Sequence, residues 1–398
     1  MKRLLLFHFL FICFSYSSIA QETILKGKVV DAKSAEPLAF ASVFLNNTTI
    51  GTVTSEDGTF SLSIPSGQHE IITSFMGYEP LSFQIDTESI PASFLIQLVP
   101  LEVEMSEVEV TGTRDDVWYK NLETFKLFFL GSSMNAQACE ILNPEVLIII
   151  YDEQQAKLTV RARDQLKILN PRLGYEISYS LVRFEYYPKE GTVFFGGYPF
   201  FKSIGGNNRQ IRRAERQRII AYNGSVMHFM RSLQKGLLEE EKFAVRRLYR
   251  NPNPNRPTQD TLDMAGKRYR ETRDPSIRDS LMTHYLSKAN LPKIIESLDK
   301  RPITVDELVE KTPDGKYFLR FEGYHQIVYA GEKEEAAFLG MQNRIPVFQT
   351  SVMSLLKDRV EIDPLGGIVE PFDVLFEGYM GWEKIGDMLP LDYQLPTQ

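Results

Sequence analysis

Four arginines stand close together in the middle of the chain: Arg209, Arg212, Arg213 and Arg216. Separations of four and three residues put Arg209, Arg213 and Arg216 on one face of a helix, with Arg212 beside it. Each guanidinium is a planar fork of donors that matches phosphate and carboxylate oxygens, so the chemistry such a face could do is the recognition of anions. The surrounding sequence has the same sign. Residues 202–301 hold 22 Lys or Arg against 11 Asp or Glu, whereas residues 21–114 hold 4 against 13. Two readings are open. The basic stretch is either a set of solvated helix faces offsetting the acidic start, or a surface for lipid headgroup phosphates, peptidoglycan carboxylates or acidic glycans. The whole chain carries −7, which argues against a nucleic-acid footprint.

No other constellation reads as a reaction centre. Outside the first twenty residues the histidines are His69, His228, His284 and His325, and none has the H-E-x-x-H spacing that sets two imidazoles and a base on one helix face. A G-x-S-x-G elbow, a Walker loop and a G-x-G-x-x-G turn are all missing. Adjacent acids such as Asp152-Glu153 and Glu239-Glu240-Glu241 read as solvated, since a glycosidase needs two carboxylates at a set separation in space. Cys139 lies in Ala136–Leu142, which reads as a small amphipathic helix closed by Asn143-Pro144, a setting that suits a buried, inert thiol. The aromatic clusters Tyr186-Tyr187, Phe194-Phe195 and Tyr198-Pro199-Phe200-Phe201 fit strand pairing in a core or exposed faces that stack on sugars. The expectation is therefore no catalytic residue, no cofactor and no metal site.

The start of the chain reads as an export signal. Lys2 and Arg3 precede the apolar run Leu4–Phe14, and Ser18-Ile19-Ala20 supplies small residues for cleavage after Ala20. Loss of residues 1–20 would take the charge from −7 to −9 and leave Cys139 as the one thiol. No later stretch is apolar enough, over the roughly 20 residues required, to span a bilayer as a helix.

The elements that would carry these groups fall into two regions of an α+β chain. Residues 21–100 alternate with period two between turn signals. Phe60, Leu62 and Ile64 share one face, Leu81, Phe83 and Ile85 another, with Glu56-Asp57-Gly58, Pro65-Ser66-Gly67 and Gly77-Tyr78 as bends. The ordered series Gly27-Lys28-Val29-Val30-Asp31, Glu36-Pro37-Leu38, Ala41-Ser42-Val43, Gly51-Thr52, Asp57-Gly58-Thr59-Phe60, Pro65-Ser66-Gly67 and Gly77-Tyr78 resembles the carboxypeptidase-regulatory-like domain. That resemblance implies a seven-stranded, transthyretin-like β-sandwich. It also implies the company of exported Bacteroidetes proteins, in which the domain often precedes the plug of a TonB-dependent outer-membrane transporter. Residues 101–114, with Met105-Ser106-Glu107-Val108-Glu109-Val110-Thr111-Gly112-Thr113, resemble the join to such a plug and read as a linker. A plug and a barrel of some 20 strands of about 10 residues do not fit in residues 115–398.

Residues 115–398 read instead as a mixed α+β domain. Asp115 or Asp116 caps a helix whose stripe is Trp118, Leu122, Phe125 and Phe129, ended by Gly131. Val146–Tyr151, Lys157–Arg163, Tyr175–Tyr187 and Thr192–Phe195 read as a meander punctuated by Gly174, Gly191 and Gly196-Gly197. A helical period begins at Asn207, with Arg218 beside the arginine face, and Ser225 caps a helix carrying Val226, Met230, Leu233 and Leu237. Asn251–Pro257 reads as a loop, Asp274-Pro275 as a helix start, Thr304–Glu307 as a capping box and Tyr317–Phe321 as a strand. Trp118–Tyr151, Leu173-Gly174-Tyr175, Gly224-Ser225 and His228-Phe229 resemble the uncharacterised C-terminal half of Bacteroidetes carboxypeptidase-regulatory-like proteins, which implies architecture and location but no reaction. The sequence thus points to an exported, non-enzymatic protein of the periplasm or the periplasmic face of the outer membrane. It would bind, tether or assemble there, with an envelope glycan, a lipid headgroup or an outer-membrane protein as partner. The rival reading is a hydrolase of envelope glycan or peptide using an acidic pair in the C-terminal domain.

Overall fold

The computed structural model describes residues 23–101, 114–340 and 343–396. The export signal of residues 1–20 and nearly all of the 101–114 linker lie outside the described residues. Two compact units emerge: residues up to Phe44 with Ile50–Pro100, and Leu45–Thr49 with the chain from Leu101 onward.

The first unit holds seven strands: β1 (Thr23–Asp31), β2 (Ser42–Leu45), β3 (Gly51–Val53), β4 (Thr59–Ile64), β5 (Gln68–Ser74), β6 (Leu81–Asp86) and β7 (Phe94–Leu98). They form two sheets, β4-β1-β7 and β3-β2-β5-β6, with β7 parallel to β1. β4 shows why: its residues are alternately exposed and buried, and Phe60, Leu62 and Ile64 join Leu25, Val29, Ile71 and Leu98 in the core. β6 keeps the pattern only at its end, with Ile85 buried and Leu81 exposed. Gly27 is a position where only hydrogen fits, since a Cβ there would meet the Phe60 ring and the Phe94 carbonyl at 2.7 Å.

The second unit begins with α1 (Asp116–Phe129), whose N-cap is Asp115, accepting the Trp118 N–H at 2.8 Å. Leu122, Phe125 and Phe129 are its buried residues. A one-turn α2 (Met134–Gln137) comes next, then β8 (Glu140–Ile141), β9 (Leu147–Asp152), β10 (Lys157–Ala162), β11 (Leu166–Asn170), β12 (Tyr175–Tyr187) and β13 (Thr192–Ser203). β12 is the spine of this six-stranded sheet. Residues 175–179 pair with β11, residues 184–186 with β10, and the other edge takes β13 along its length. Phe125 and Phe129 pack on this sheet against Phe184 and Tyr179, with ring centroids 4.8 and 5.0 Å apart.

Three expectations are corrected here. The helix around Cys139 ends at Gln137, and Cys139 sits in the turn beyond it. A strand not expected from the sequence, β11, falls between β10 and β12 in chain order and pairs with β12 beside β10, so the strands are not a simple meander. Gly196 and Gly197 do not end a strand but lie inside β13, opposite a bulge between Leu181 and Arg183. A Cβ on Gly197 would fall 2.2 Å from the Ser180 carbonyl, so the glycine admits close backbone approach.

The rest of the unit runs α3 (Asn208–Tyr222), α4 (Val226–Lys235), β14 (Phe243–Pro252), α5 (Gln259–Glu271), α6 (Pro275–His284), β15 (Ile294–Pro302), β16 (Val309–Lys311), β17 (Tyr317–Leu319), β18 (Tyr324–Lys333), α7 (Ala336–Leu339), β19 (Phe348–Leu355), β20 (Val360–Ile362), β21 (Val374–Gly378) and α8 (Tyr379–Trp382). Ser225 and Asp274 cap α4 and α6 as expected. β14 extends through Asn251-Pro252, so the expected loop starts only at Asn253, and Thr304–Glu307 caps a single 3-10 turn. A five-stranded sheet, β15-β14-β18-β19-β21, and a three-stranded one, β16-β17-β20, enclose a second core around Phe229, Met230, Phe243, Ile327 and Met353. Ile385 and Leu389 from the end of the chain return to the first core, beside Phe129 and Leu130.

Candidate functional site

The arginine stripe is built on α3. Asn207 caps it, with its side-chain oxygen accepting the N–H groups of Arg209 and Gln210 at 3.1 and 3.0 Å while Gln210 accepts the Asn207 N–H at 2.9 Å. The helix buries Ala214, Ala221 and Tyr222. At 100° per residue these lie opposite Arg209, Arg212, Arg213 and Arg216, all four of which are exposed. The structure therefore brings the four predicted residues together on one solvent face.

Arg218, expected beside them, is on the buried side instead. It donates to the carbonyls of Leu173 and Gly174 at 2.7 and 3.1 Å and lies 4.0 Å over the Tyr175 ring. Its role is to hold the β11–β12 corner against α3. Glu215 and Arg218 line a cavity of about 310 Å³ with Tyr175, Ser203, Asp392 and Tyr393, at the lower limit for a small-molecule pocket.

The electrostatics of the stripe run against the stability of the free helix. The pairs 209/212, 209/213, 212/216 and 213/216 are like charges at helical spacing, each unfavourable by about 0.2–0.5 kcal/mol. The first turn contains no acid to complement the positive end of the helix dipole. Among the described residues no ion pair joins any of the four to a carboxylate, whereas Arg250, Arg301, Arg320 and Arg344 are each paired with a glutamate. Cationic charge is concentrated here, with Glu215 as the acid within its span.

The other groups singled out in the sequence have structural surroundings. Cys139 donates to the Asn135 carbonyl at 3.4 Å, and burial pushes its thiol up to about 12, far from a nucleophile's range. His228 packs between Tyr222 and Phe243, bonded to the Gly224 N–H and to Glu241, and burial lowers its pKa. Of the aromatic clusters, Phe201 is fully buried, and Tyr186 and Phe195 pack on Phe128 and Phe129 of α1, so these rings belong to the core. Phe194, 43% exposed, is the ring that faces outward. Among the described residues no group of three His, Cys, Asp or Glu is placed to hold a metal ion.

One cluster had no signal in the sequence. Asp387 is buried near the end of the chain, and its Oδ1 accepts the Ser133 hydroxyl at 2.7 Å and the Asn135 amide at 3.1 Å. Its Oδ2 and the Oε2 of Glu335 are buried without partners. Burial is the main cause that lifts Asp387 to about 6, and Glu383 rises well above the carboxylate range through burial and then the charges of Asp387, Glu335 and Glu332. Residues more than 250 positions apart meet here, which no local pattern could disclose.

Comparison with known proteins bears on the first unit. Residues 25–110 match the family model of the CarboxypepD_reg-like domain, a non-catalytic fold. The TonB-dependent receptor SusC of Bacteroides thetaiotaomicron is 42% identical over 66 residues, covering 17% of this chain and 6% of the receptor's length. Among solved structures, a putative membrane-associated protein of unknown function from Bacteroides fragilis covers 85% of this chain and 92% of its own at 9% identity, with a TM-score of 0.17. A DUF3823 family protein from Bacteroides ovatus covers 47% and 83% at 10% identity and a TM-score of 0.16. No described helix is long and apolar enough to cross a membrane.

Proposed function

We propose that this is an exported cell-envelope protein whose CarboxypepD_reg-like sandwich is a non-catalytic module and whose second unit docks on an anionic envelope surface. One observation carries the reading: four exposed guanidiniums along the first three turns of α3, with no ion pair to any of them among the described residues. Such a face raises the local concentration of anions and steers their approach. The location in the periplasm, or on the periplasmic face of the outer membrane, is supported by the leader-like start of the sequence and by the stretch similar to SusC. The partner's chemistry is that of phosphate or carboxylate oxygens, from lipid headgroups or from peptidoglycan.

The test is to replace Arg209, Arg212, Arg213 and Arg216 with Gln and measure binding to vesicles containing anionic phospholipid and, separately, to purified peptidoglycan. Loss of about tenfold or more in affinity on one of the two, with a weaker salt dependence, supports the reading and names the source of the anion. Unchanged binding on both sinks it. Recovery of the native protein in the cytoplasmic fraction would overturn the location. The hydrolase alternative finds no open acidic pair in Glu383 and Asp387, whose carboxyls burial raises, and would rest on Glu215 and Asp392, which both line the cavity.

A further inference from the structure

β15 forms one edge of the five-stranded sheet, with β14 on one side and no strand of the described residues on the other. All of its nine residues are exposed except the half-buried Asp299. They include Ile294, Ile295 and Leu298, at 51%, 42% and 40% exposure. Sheets usually protect such an edge with a cover, a mid-strand proline or a bulge. Here the register shift against β14 comes only beyond Leu298, which leaves 294–298 straight and uncovered.

The backbone of this stretch can be oriented. The Asn253 N–H donates to the Lys293 carbonyl at 2.9 Å, and Pro252, which stands opposite Ile294, has no N–H to give. Bonded and non-bonded pairs alternate along an antiparallel ladder. Asn251–Ile295 and Tyr249–Ser297 are then the bonded pairs, and the N–H and C=O groups of Ile294, Glu296 and Leu298 point away from β14 to the free edge.

We propose that β15 is the interface of a symmetric dimer, in which two copies pair edge to edge, antiparallel, about an axis through Glu296. Of the registers that set outward groups against outward groups, this one uses all three outward residues. It places Ile294 opposite the partner's Leu298 and Lys293 opposite the partner's Asp299, each twice by symmetry. The two Glu296 side chains meet at the axis, and each is already bound by the Arg250 guanidinium of its own chain at 2.8 Å. The pairing is self-complementary in apolar contact and in charge, and it covers both free edges at once, as a two-fold interface must.

Sedimentation of the full chain at about 100 μM, a concentration suited to the weak affinity of a small interface, tests the assignment. The expected result is a reversible dimer. Leu298→Lys, checked for folding by circular dichroism, should abolish it. Lys293→Asp and Asp299→Lys should each weaken the dimer about tenfold, because each sets like charges opposite one another twice, and the double reversal should restore it. A chain that stays monomeric at that concentration overturns the proposal. So does a dimer that Leu298→Lys leaves intact, or one that the double reversal fails to restore.

Discussion

Asp31 and Asp57 of the sandwich and Asp387 of the second unit are treated in opposite ways. In the sandwich, Asp31 receives the Tyr78 hydroxyl at 2.7 Å and the N–H groups of Lys33 and Ser34 at 2.6 and 2.7 Å. These donors, the Tyr78 hydroxyl foremost, hold it at about 2. Asp57 is held at about 2 by the hydroxyl of Ser55 and then by Thr59. In the second unit Asp387 also accepts two donors, yet burial outweighs them and lifts it to about 6. Hydrogen bonds to the charged form decide the first case and desolvation decides the second.

The contrast has a consequence for acid response. Asp31 and Asp57 bind protons more weakly in the folded than in the unfolded chain. Their contribution is present above the ordinary carboxylate range near 4 and is lost as pH falls from there through about 2. Asp387 binds its proton more tightly when folded, so its folded form is favoured below about 4 and that advantage is lost as pH rises through about 6. Mild acid should therefore firm the surroundings of Asp387, while strong acid loosens those of Asp31 and Asp57, and of Glu307 in the second unit, which the Arg301 guanidinium holds at about 2.

The largest test of that contrast is Asp387→Asn. Removing the ionisable group should stabilise the second unit at pH 7 by up to about 3 kcal/mol, and shrink its stability difference between pH 7 and pH 4.5 by about 2 kcal/mol, read from thermal melts at the two values. An unchanged pH dependence would assign the effect to Glu383 instead. Ser133→Ala comes next, since it takes away a donor that favours the charged form. A loss of about 1–2 kcal/mol is expected at pH 7, with less at pH 4.5; equal losses at both would mean the carboxyl is not charged when folded. Tyr78→Phe is the smallest. It should move the Asp31 titration, followed by NMR, upward toward the ordinary carboxylate range and leave that of Asp57 in place, and a stationary Asp31 would remove the hydroxyl as the leading cause.

These particulars also show what could be read without a structure. β4, β12, the Ser225 and Asp274 caps and the stripe of α1 were legible because each is a local pattern: period two, period 3.6, or a capping side chain beside a helix start. The four arginines were legible for the same reason. Gly196 and Gly197 misled because a glycine that permits close approach inside a strand looks, in sequence, like one that ends it. Arg218 misled because one helical step moves a side chain by about 100°, enough to carry it from the solvent face to the buried one. The Asp387 cluster was beyond reach, since tertiary folding alone brings Ser133 and Asn135 to it.

Arg231 links the middle of the chain to its late residues. Its guanidinium donates to the carbonyls of Leu365, Leu391 and Tyr393 at 2.8, 2.8 and 3.0 Å, while Ile385 and Leu389 fill the core begun by α1. That core cannot be completed on the ribosome until residues 385–393 have emerged. The second unit therefore closes only after its late residues join the core that α1 begins.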